Sequence, residues 1–401
     1  MITQAVILAG GLGQRLGELT RATPKPLLEV GGKPFLLYLF DELRRQGVTR
    51  ILVLAGRYGE QVEALCQDLD DVRVVVEETP LGTGGALRDA APHLADAFYF
   101  LNGDSLFDIN ILALGARLFT SDATLGVLSL RPVADGSRFG AVQISGETIT
   151  AFLPRPLRPG PSLINGGVAA LRKAVVDAMP EDGAVSMEAE VYPKLVALEA
   201  LKGQVFDRPF IDIGVPDDFA RAQQAVPAML HRGAVIFDRD GVLNEDVGYA
   251  HRPEQIVWVA GARDAIHAVN EAGLLAMVAT NQAGVARGFY SEADVRALHA
   301  WMNQDLAKSG AHIDAFEYSP FHIDGVVEAY RRDSPCRKPG PQMLEKLLAR
   351  YSVDASRVLM VGDKETDLEA ARAAKISGHL FSGGDLHAFL APLLPRLVKP
   401  L

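Results

Sequence analysis

GAVIFDRDGVLNED, residues 233–246, decides the fold of the second half of this chain. The apolar run Ala234–Phe237 reads as a buried strand, and it ends in Asp238 and Asp240, two carboxylates spaced i, i+2. An extended backbone sends i and i+2 to the same side, and Gly241 then lets the chain turn away. Side chains aimed this way into one pocket can divide a phosphoryl reaction, one attacking phosphorus and the other moving the proton. Taken alone, the same residues also fit a calcium-binding loop or a plain surface turn.

The pattern continues outward from that strand. ARDAIHAVNEAG (262–273) has helical spacing, LLAMVATNQ (274–282) reads as a strand entering a loop, and residues 283–340 read as a long polar segment. A helix is expected near 341–351, followed by the strand RVLMVGD (357–363) and the helix TDLEAARAAK (366–375). Strands alternating with helices predict a parallel sheet covered on both faces.

The first half shows the same alternation independently. AVILAGGLGQR (5–15) is a strand entering a glycine-rich loop, KPFLLYLFDELRRQG (33–47) is helical, and RILVLAG (50–56) is the next strand. Further strands are expected at VRVVVEE (72–78), AFYFLNGD (97–104), TLGVLSL (124–130) and GAVQISG (140–146), with antiparallel structure around 138–153. DFARAQQAVPAMLHRG (218–233) reads as a closing helix and connector. The predicted division is therefore 1–230 and 231–401: two α/β, Rossmann-like domains, the first with a mixed sheet.

Composition narrows the function. Fifty acidic residues oppose forty Lys and Arg in 401 residues, a net charge of −10. That balance argues against nonspecific nucleic-acid or anionic-membrane binding, while leaving room for a local basic pocket. The two cysteines, Cys66 and Cys336, are too few and too distant for a disulfide framework and read as reduced thiols. Neither a secretory leader nor a membrane span is legible, so a cytoplasmic protein is expected. The apolar segment LHAFLAPLLPRLVKPL leaves a homo-oligomer open.

Gly10, Gly11 and Gly13 let backbone approach a ligand closely, and their amides can face phosphate oxygens, although a simple tight turn accounts for them too. Arg15 and Lys25 follow, the latter held between two prolines in TPKPLL. Asp104 (in NGDS) and Asp212 (in PFIDIG) each stand where an apolar segment meets a turn, and together could hold Mg2+ against a nucleoside triphosphate.

Six ordered motifs, LAGGLGQRL, TPKPLLEVGGKPFL, ETPLGTGG, LNGDSLFDI, LINGG and FIDIGVPDD, make residues 2–226 resemble sugar-1-phosphate nucleotidyltransferases, and among them D-glycero-α-D-manno-heptose 1-phosphate guanylyltransferases. The resemblance implies that Gly10, Gly11, Gly13, Arg15 and Lys25 hold the triphosphate of GTP. It implies Asp104 and Asp212 as Mg2+ ligands, and Gly82, Thr83 and Gly84 as lining of the nucleotide pocket. Asn165, Gly166 and Glu188 would lie near the sugar phosphate.

FDRDGVLNEDVGY, ATNQAGVARG, CRKPGPQML and GDKETDLEAA resemble the haloacid-dehalogenase phosphatases, in particular heptose 1,7-bisphosphate phosphatases, with histidinol-phosphate phosphatases as relatives. This implies a domain with little or no cap, since the space between motifs is short, with Asp238 as nucleophile and Asp240 as general acid and base. Thr280 and Lys338 would bind the transferring phosphoryl group, and Asp238, Asp240 (through its carbonyl) and Asp363 would hold Mg2+, with Asp367 steadying the corner. Asn244, Asn281, Gln282 and Arg337 would surround nucleophile or substrate. Members of that branch often carry a zinc loop, but here Ser319, Phe321 and Ser334 stand where three donors are expected, so no structural zinc is expected. His93, His267 and His299 read as surface or packing residues.

Overall fold

A computed structural model describes residues 1–11, 14–136, 140–153 and 160–398. It divides into two compact units, Met1–Met229 and Leu230–Leu401. The helix Pro216–Leu230 runs up to this division, and the strand Arg232–Phe237 begins just beyond it.

The first unit is built on a nine-stranded mixed sheet. Val72–Val76, Arg50–Ala55, Gln4–Ala9 and Ala97–Asn102 lie side by side and parallel. Ser162–Arg172 then runs antiparallel to Ala97–Asn102 and to Gly126–Val133. The expected antiparallel structure is the hairpin Ala141–Ser145 with Thr148–Leu153. Burial on both faces explains why the central strands read as continuous apolar runs.

A two-stranded ribbon pairs Ser105–Phe107 with Phe210–Asp212, placing Ser105 opposite Asp212. It joins segments over a hundred residues apart, and it brings Asp104 beside Asp212.

The second unit is a five-stranded, all-parallel sheet in the order Ala315–Ser319, Leu275–Asn281, Arg232–Phe237, Val353–Gly362, Ser377–Leu380. Its central strand alternates between two cores. Val235 and Phe237 pack with Ile266, Leu386 and Leu390 on one face, while Ala234 and Ile236 pack with Met343, Leu347 and Ala370 on the other. The apolar C-terminal segment thus sends Leu386, Leu390 and Leu397 into the first of these cores. No separate cap is inserted among the described residues.

One expectation needs correction. Residues 283–340 are not simply a polar segment, because they contain the helix Glu292–Leu306 and the edge strand Ala315–Ser319. Ser291 and Asp294 cap that helix reciprocally, side chain to backbone.

Two candidate active sites

In the first unit the carboxylates of Asp104 and Asp212 converge on one lysine. Lys25 Nζ is bonded to Asp104 and lies 3.7 Å from Asp212. Lys25 is nearly buried, and its backbone sits in a short 3-10 turn between Pro24 and Pro26. Burial and the neighbouring Asp104 raise the Asp212 pKa, against the pull of Lys25, the Gly214 N–H and Arg15. A β-carbon on Gly214 would lie 2.7 Å from Asp212 Oδ1 and 2.8 Å from Lys25 Nζ, so a side chain there would push these two groups aside. Two carboxylates sharing one cation in a half-buried cleft suit a divalent ion, whose charge would relieve their mutual repulsion.

Arg15, Asp104, Asp212, Asn165 and Glu188 line one cavity of about 220 Å³, and Asn165, Glu188 and Thr83 line a neighbouring one of about 200 Å³. Asn165 Nδ2 donates to Glu188 Oε1 at 2.9 Å, so these two expected residues form one polar wall. Gly167, rather than Gly166, lines both cavities; a β-carbon on Gly166 would strike Phe107. Thr83 faces the cavity and accepts from the Met187 N–H, while Gly82 and Gly84 pack on Val185. Gly10 lies against Gly56, Gly11 is open to solvent, and Gly13 falls outside the described residues.

Glu77 escaped the sequence reading. Its Oε2 lies 3.8 Å from where a Gly10 β-carbon would stand, and burial raises its pKa. The signal was faint, an acid at the end of a strand in VVVEE.

In the second unit Asp238, Thr280 and Asp363 all stand at carboxyl ends of neighbouring parallel strands, where the strand order reverses. Lys338 comes from the loop before Gln342–Arg350. Its Nζ donates to Asp238 at 2.9 Å, to Asp367 at 2.7 Å and to the Ala279 carbonyl at 2.8 Å. Burial opposes its charge, but Asp238 and Asp367 outweigh burial and raise its pKa. Burial also pushes Asp238 up to about 6, with Lys338 pulling it down and Asp367 pushing it up.

Ligand oxygens of Asp238, Asp363 and Asp367 lie within 4.8 Å of one another, a candidate divalent-cation site. Asp363 Oδ1 is buried without a hydrogen-bond partner, as an oxygen kept for a cation would be. Asp367 is otherwise engaged, by Lys338 and by the Lys364 N–H. The acidic set therefore fits a hard, oxygen-preferring ion.

Asp240 is held from three sides. The fully buried Arg239 forks onto it at 2.9 Å, Gln282 donates at 3.0 Å and Asn244 at 2.9 Å. Gln282 also donates to Thr280 and accepts from Tyr290. Asn281 exchanges two hydrogen bonds with the Lys338 backbone, so it positions the lysine.

A cavity of about 510 Å³ opens over these groups, lined also by Arg287, His322 and Arg337. Burial lowers the Arg337 pKa, with Arg287 adding to the effect, and Arg287 Nε is buried without a partner. Two such cations side by side form an anion-binding corner, and Arg287 was missed in ATNQAGVARG. Of the donors for a four-ligand zinc centre, only Cys336 stands in place, and Ser319, Phe321 and Ser334 do not fit that metal.

Comparisons agree with this division. Residues 4–229 match the model of the Nucleotidyl transferase family, and residues 335–388 that of a HAD-hydrolase-like family. The chain is 32% identical over 222 residues to a D-glycero-alpha-D-manno-heptose 1-phosphate guanylyltransferase of Campylobacter jejuni, covering 54% of this chain and 96% of that one. It is 44% identical over 168 residues to a D-glycero-beta-D-manno-heptose-1,7-bisphosphate 7-phosphatase of Rhodopseudomonas palustris, covering 42% of this chain and 93% of the relative. Among solved structures, HddC from Yersinia pseudotuberculosis complexed with GMP-PN is similar, with a TM-score of 0.50 and 31% identity over 56% of this chain and all of that one. With a lysine–carboxylate centre in each unit and a relative spanned almost end to end by each, the chain belongs to the nucleotidyl transferase family in its first catalytic domain and to the HAD-like phosphatases in its second.

Proposed function

We propose that the second unit removes the 7-phosphate of D-glycero-α-D-manno-heptose 1,7-bisphosphate, and that the first transfers GMP from GTP to the resulting 1-phosphate with release of pyrophosphate. The observation that carries this reading is the pairing of the two centres in one chain. Removing the 7-phosphate from a heptose 1,7-bisphosphate, as the phosphatase relatives are named for, leaves a heptose 1-phosphate, the kind of substrate in the names of the transferase relatives. Their names differ in anomer, beta for the phosphatase and alpha for the transferase. Hydrolysis at position 7 leaves the anomeric carbon untouched, so a chain running both steps needs the α form throughout.

In the second unit Asp238 would attack the 7-phosphorus, forming an aspartyl-phosphate as the P–O7 bond breaks. Asp240, fixed by Arg239, Asn244 and Gln282, would protonate the leaving O7 and then take a proton from the water that releases phosphate. Lys338 and Thr280 would hold the transferring group, and Arg287 and Arg337 suit the phosphate at the far end. In the first unit the sugar-phosphate oxygen is already anionic, so Lys25 and Arg15 need only neutralise and align the reacting phosphates. Glu77 supports GTP, since a carboxylate beside Gly10 can accept from both the N1–H and the amino group of guanine.

Mg2+ in both units, on Asp104 and Asp212 in one and on Asp238, Asp363 and the Asp240 carbonyl in the other, is part of the proposal. The chemistry such an ion supplies is relief of carboxylate–phosphate repulsion and polarisation of the reacting phosphoryl oxygen. GTP as substrate implies a cytoplasmic enzyme. Among the described residues, no helix is long and apolar enough to cross a membrane.

The test supplies the α-bisphosphate, Mg2+ and each nucleoside triphosphate in turn, following products by mass spectrometry. GDP-heptose formed with GTP, alongside phosphate and pyrophosphate, is the expected result. Heptose 1-phosphate without any nucleotide product would refute the assignment of the first unit.

A further inference from the structure

The loop between Ser319 and Gln342 carries His322, Arg337 and Lys338 to the phosphatase cavity, so whatever fixes this loop fixes the cavity wall. A metal does not suit it, because three of the four expected donor positions hold Ser319, Phe321 and Ser334. These positions make other contacts. The Phe321 ring lies 6.1 Å from that of Tyr330 and beneath the Arg332 guanidinium, at 4.1 Å. Ser334 Oγ accepts from the Cys336 N–H, and Ser319 is fully buried.

A side-chain tether of the loop comes from a different element. Glu292, in the first turn of the helix Glu292–Leu306, accepts from the Tyr330 hydroxyl at 2.6 Å through Oε1 and from the Tyr318 hydroxyl at 2.7 Å through Oε2. Arg296, one turn on, donates to the Tyr318 hydroxyl at 3.1 Å. Hydrogen bonds from Tyr318 and then Tyr330 lower the Glu292 pKa, which keeps the acceptor charged. Tyr330 in turn accepts the His322 N–H at its carbonyl, 3.2 Å away, and Val326 and Val327 both donate to the Ala286 carbonyl. Ala286 adjoins Arg287, so the tether reaches both cavity-lining segments.

We propose that Glu292 is a positioning residue for the phosphatase: with Tyr318 and Tyr330 it forms a metal-free clasp that holds the 320–337 loop, and through it His322 and Arg337, against the far end of the substrate. Lys338, although on the same loop, is held separately by Asn281, Asp238, Asp367 and the Ala279 carbonyl, so the clasp governs recognition of the far phosphate and leaves the chemical step alone. This rests on the phosphatase reading of the second unit.

The test uses the full chain with Mg2+ and two substrates, p-nitrophenyl phosphate and the α-heptose 1,7-bisphosphate. Hydrolysis of p-nitrophenyl phosphate by the unaltered protein checks the phosphatase reading separately. Glu292→Ala is expected to raise KM for the bisphosphate about tenfold while kcat/KM for p-nitrophenyl phosphate stays within about twofold. Tyr330→Phe, which deletes one hydroxyl and keeps the ring, should give a smaller rise of the same kind, and Glu292→Gln an intermediate one. A zinc-selective chelator should leave the unaltered protein's bisphosphate KM unchanged. An unchanged KM in Glu292→Ala overturns the proposal. So does an equal fall in both activities in Tyr330→Phe, which means general destabilisation, or a chelator-sensitive KM, which means that a metal holds the loop.

Discussion

Arg239 is a cation with no exposed surface, and such a group persists only where its charge is answered. Asp240 answers it on one side, the Ala250 carbonyl accepts a second bond, and His299 Nε2 stands 3.5 Å from the guanidinium. His299 stacks on Phe316 with ring centroids 4.3 Å apart. Burial, and next to it Arg239, lower the His299 pKa well below 6.5. Its neutral form can accept from Arg239, whereas its protonated form would set two cations face to face. The sign of the pH effect follows. Below pH 6.5 the unfolded chain binds a proton at this position and the folded chain does not, so stability is full above that pH and falls on acidification. The loss approaches about 1.4 kcal/mol per pH unit while only the unfolded state is protonated. His299→Gln keeps an acceptor for Arg239 without titrating. Melting temperatures from pH 8 to 5 should therefore fall less in the variant than in the unaltered protein. Parallel curves would show that His299 is not the group that titrates.

At the scale of elements, the strand-to-turn step after Phe237 sets the second site. Gly241 has φ +86°, a conformation that disfavours any side chain, and a β-carbon there would collide with the Asp363 carboxylate. Gly241→Ala is expected to cost about 1–3 kcal/mol of local strain and to displace Asp363 from the cation site. Phosphatase kcat should fall at least about a hundredfold, as for a misplaced catalytic group, while activation of supplied heptose 1-phosphate is unchanged. Normal phosphatase turnover in this variant would mean that Asp363 does not help to form the centre. The FDRDG turn was legible because strand, carboxylates and glycine are contiguous. The helix Glu292–Leu306 was not, for a physical reason. Its buried face alternates Val295, Leu298, Met302 and Leu306 with the polar His299 and Asp305, which blurs the apolar stripe. The Ser291–Asp294 cap was the readable signal. Asp104 and Asp212 could each be singled out at the end of an apolar run, but their meeting depends on a strand pair that no local pattern encodes. Arg287 and Glu77 belong to the same class, since their neighbours come from distant segments.

At the scale of the molecule, the residues proposed for each centre belong to a single unit. Arg15, Lys25, Glu77, Asp104 and Asp212 belong to Met1–Met229, and Asp238, Thr280, Lys338 and Asp363 to Leu230–Leu401. Sites proposed in different units can exchange their intermediate through solvent, and this can be tested with two crippled proteins. Asp238→Asn lacks the attacking carboxylate but should still convert supplied heptose 1-phosphate and GTP into GDP-heptose. Lys25→Met lacks the cation between Asp104 and Asp212 but should still release phosphate from the bisphosphate. Each alone should yield no GDP-heptose from the bisphosphate. Mixed in equal amounts, they should restore its formation after a lag during which heptose 1-phosphate accumulates, visible by phosphorus NMR. The lag should shorten as both proteins are concentrated together, because a freely diffusing intermediate is made and captured in proportion to enzyme. If the unaltered protein makes GDP-heptose from the bisphosphate without that lag and without heptose 1-phosphate appearing, while the mixture shows both, fusion of the two units serves a direct transfer.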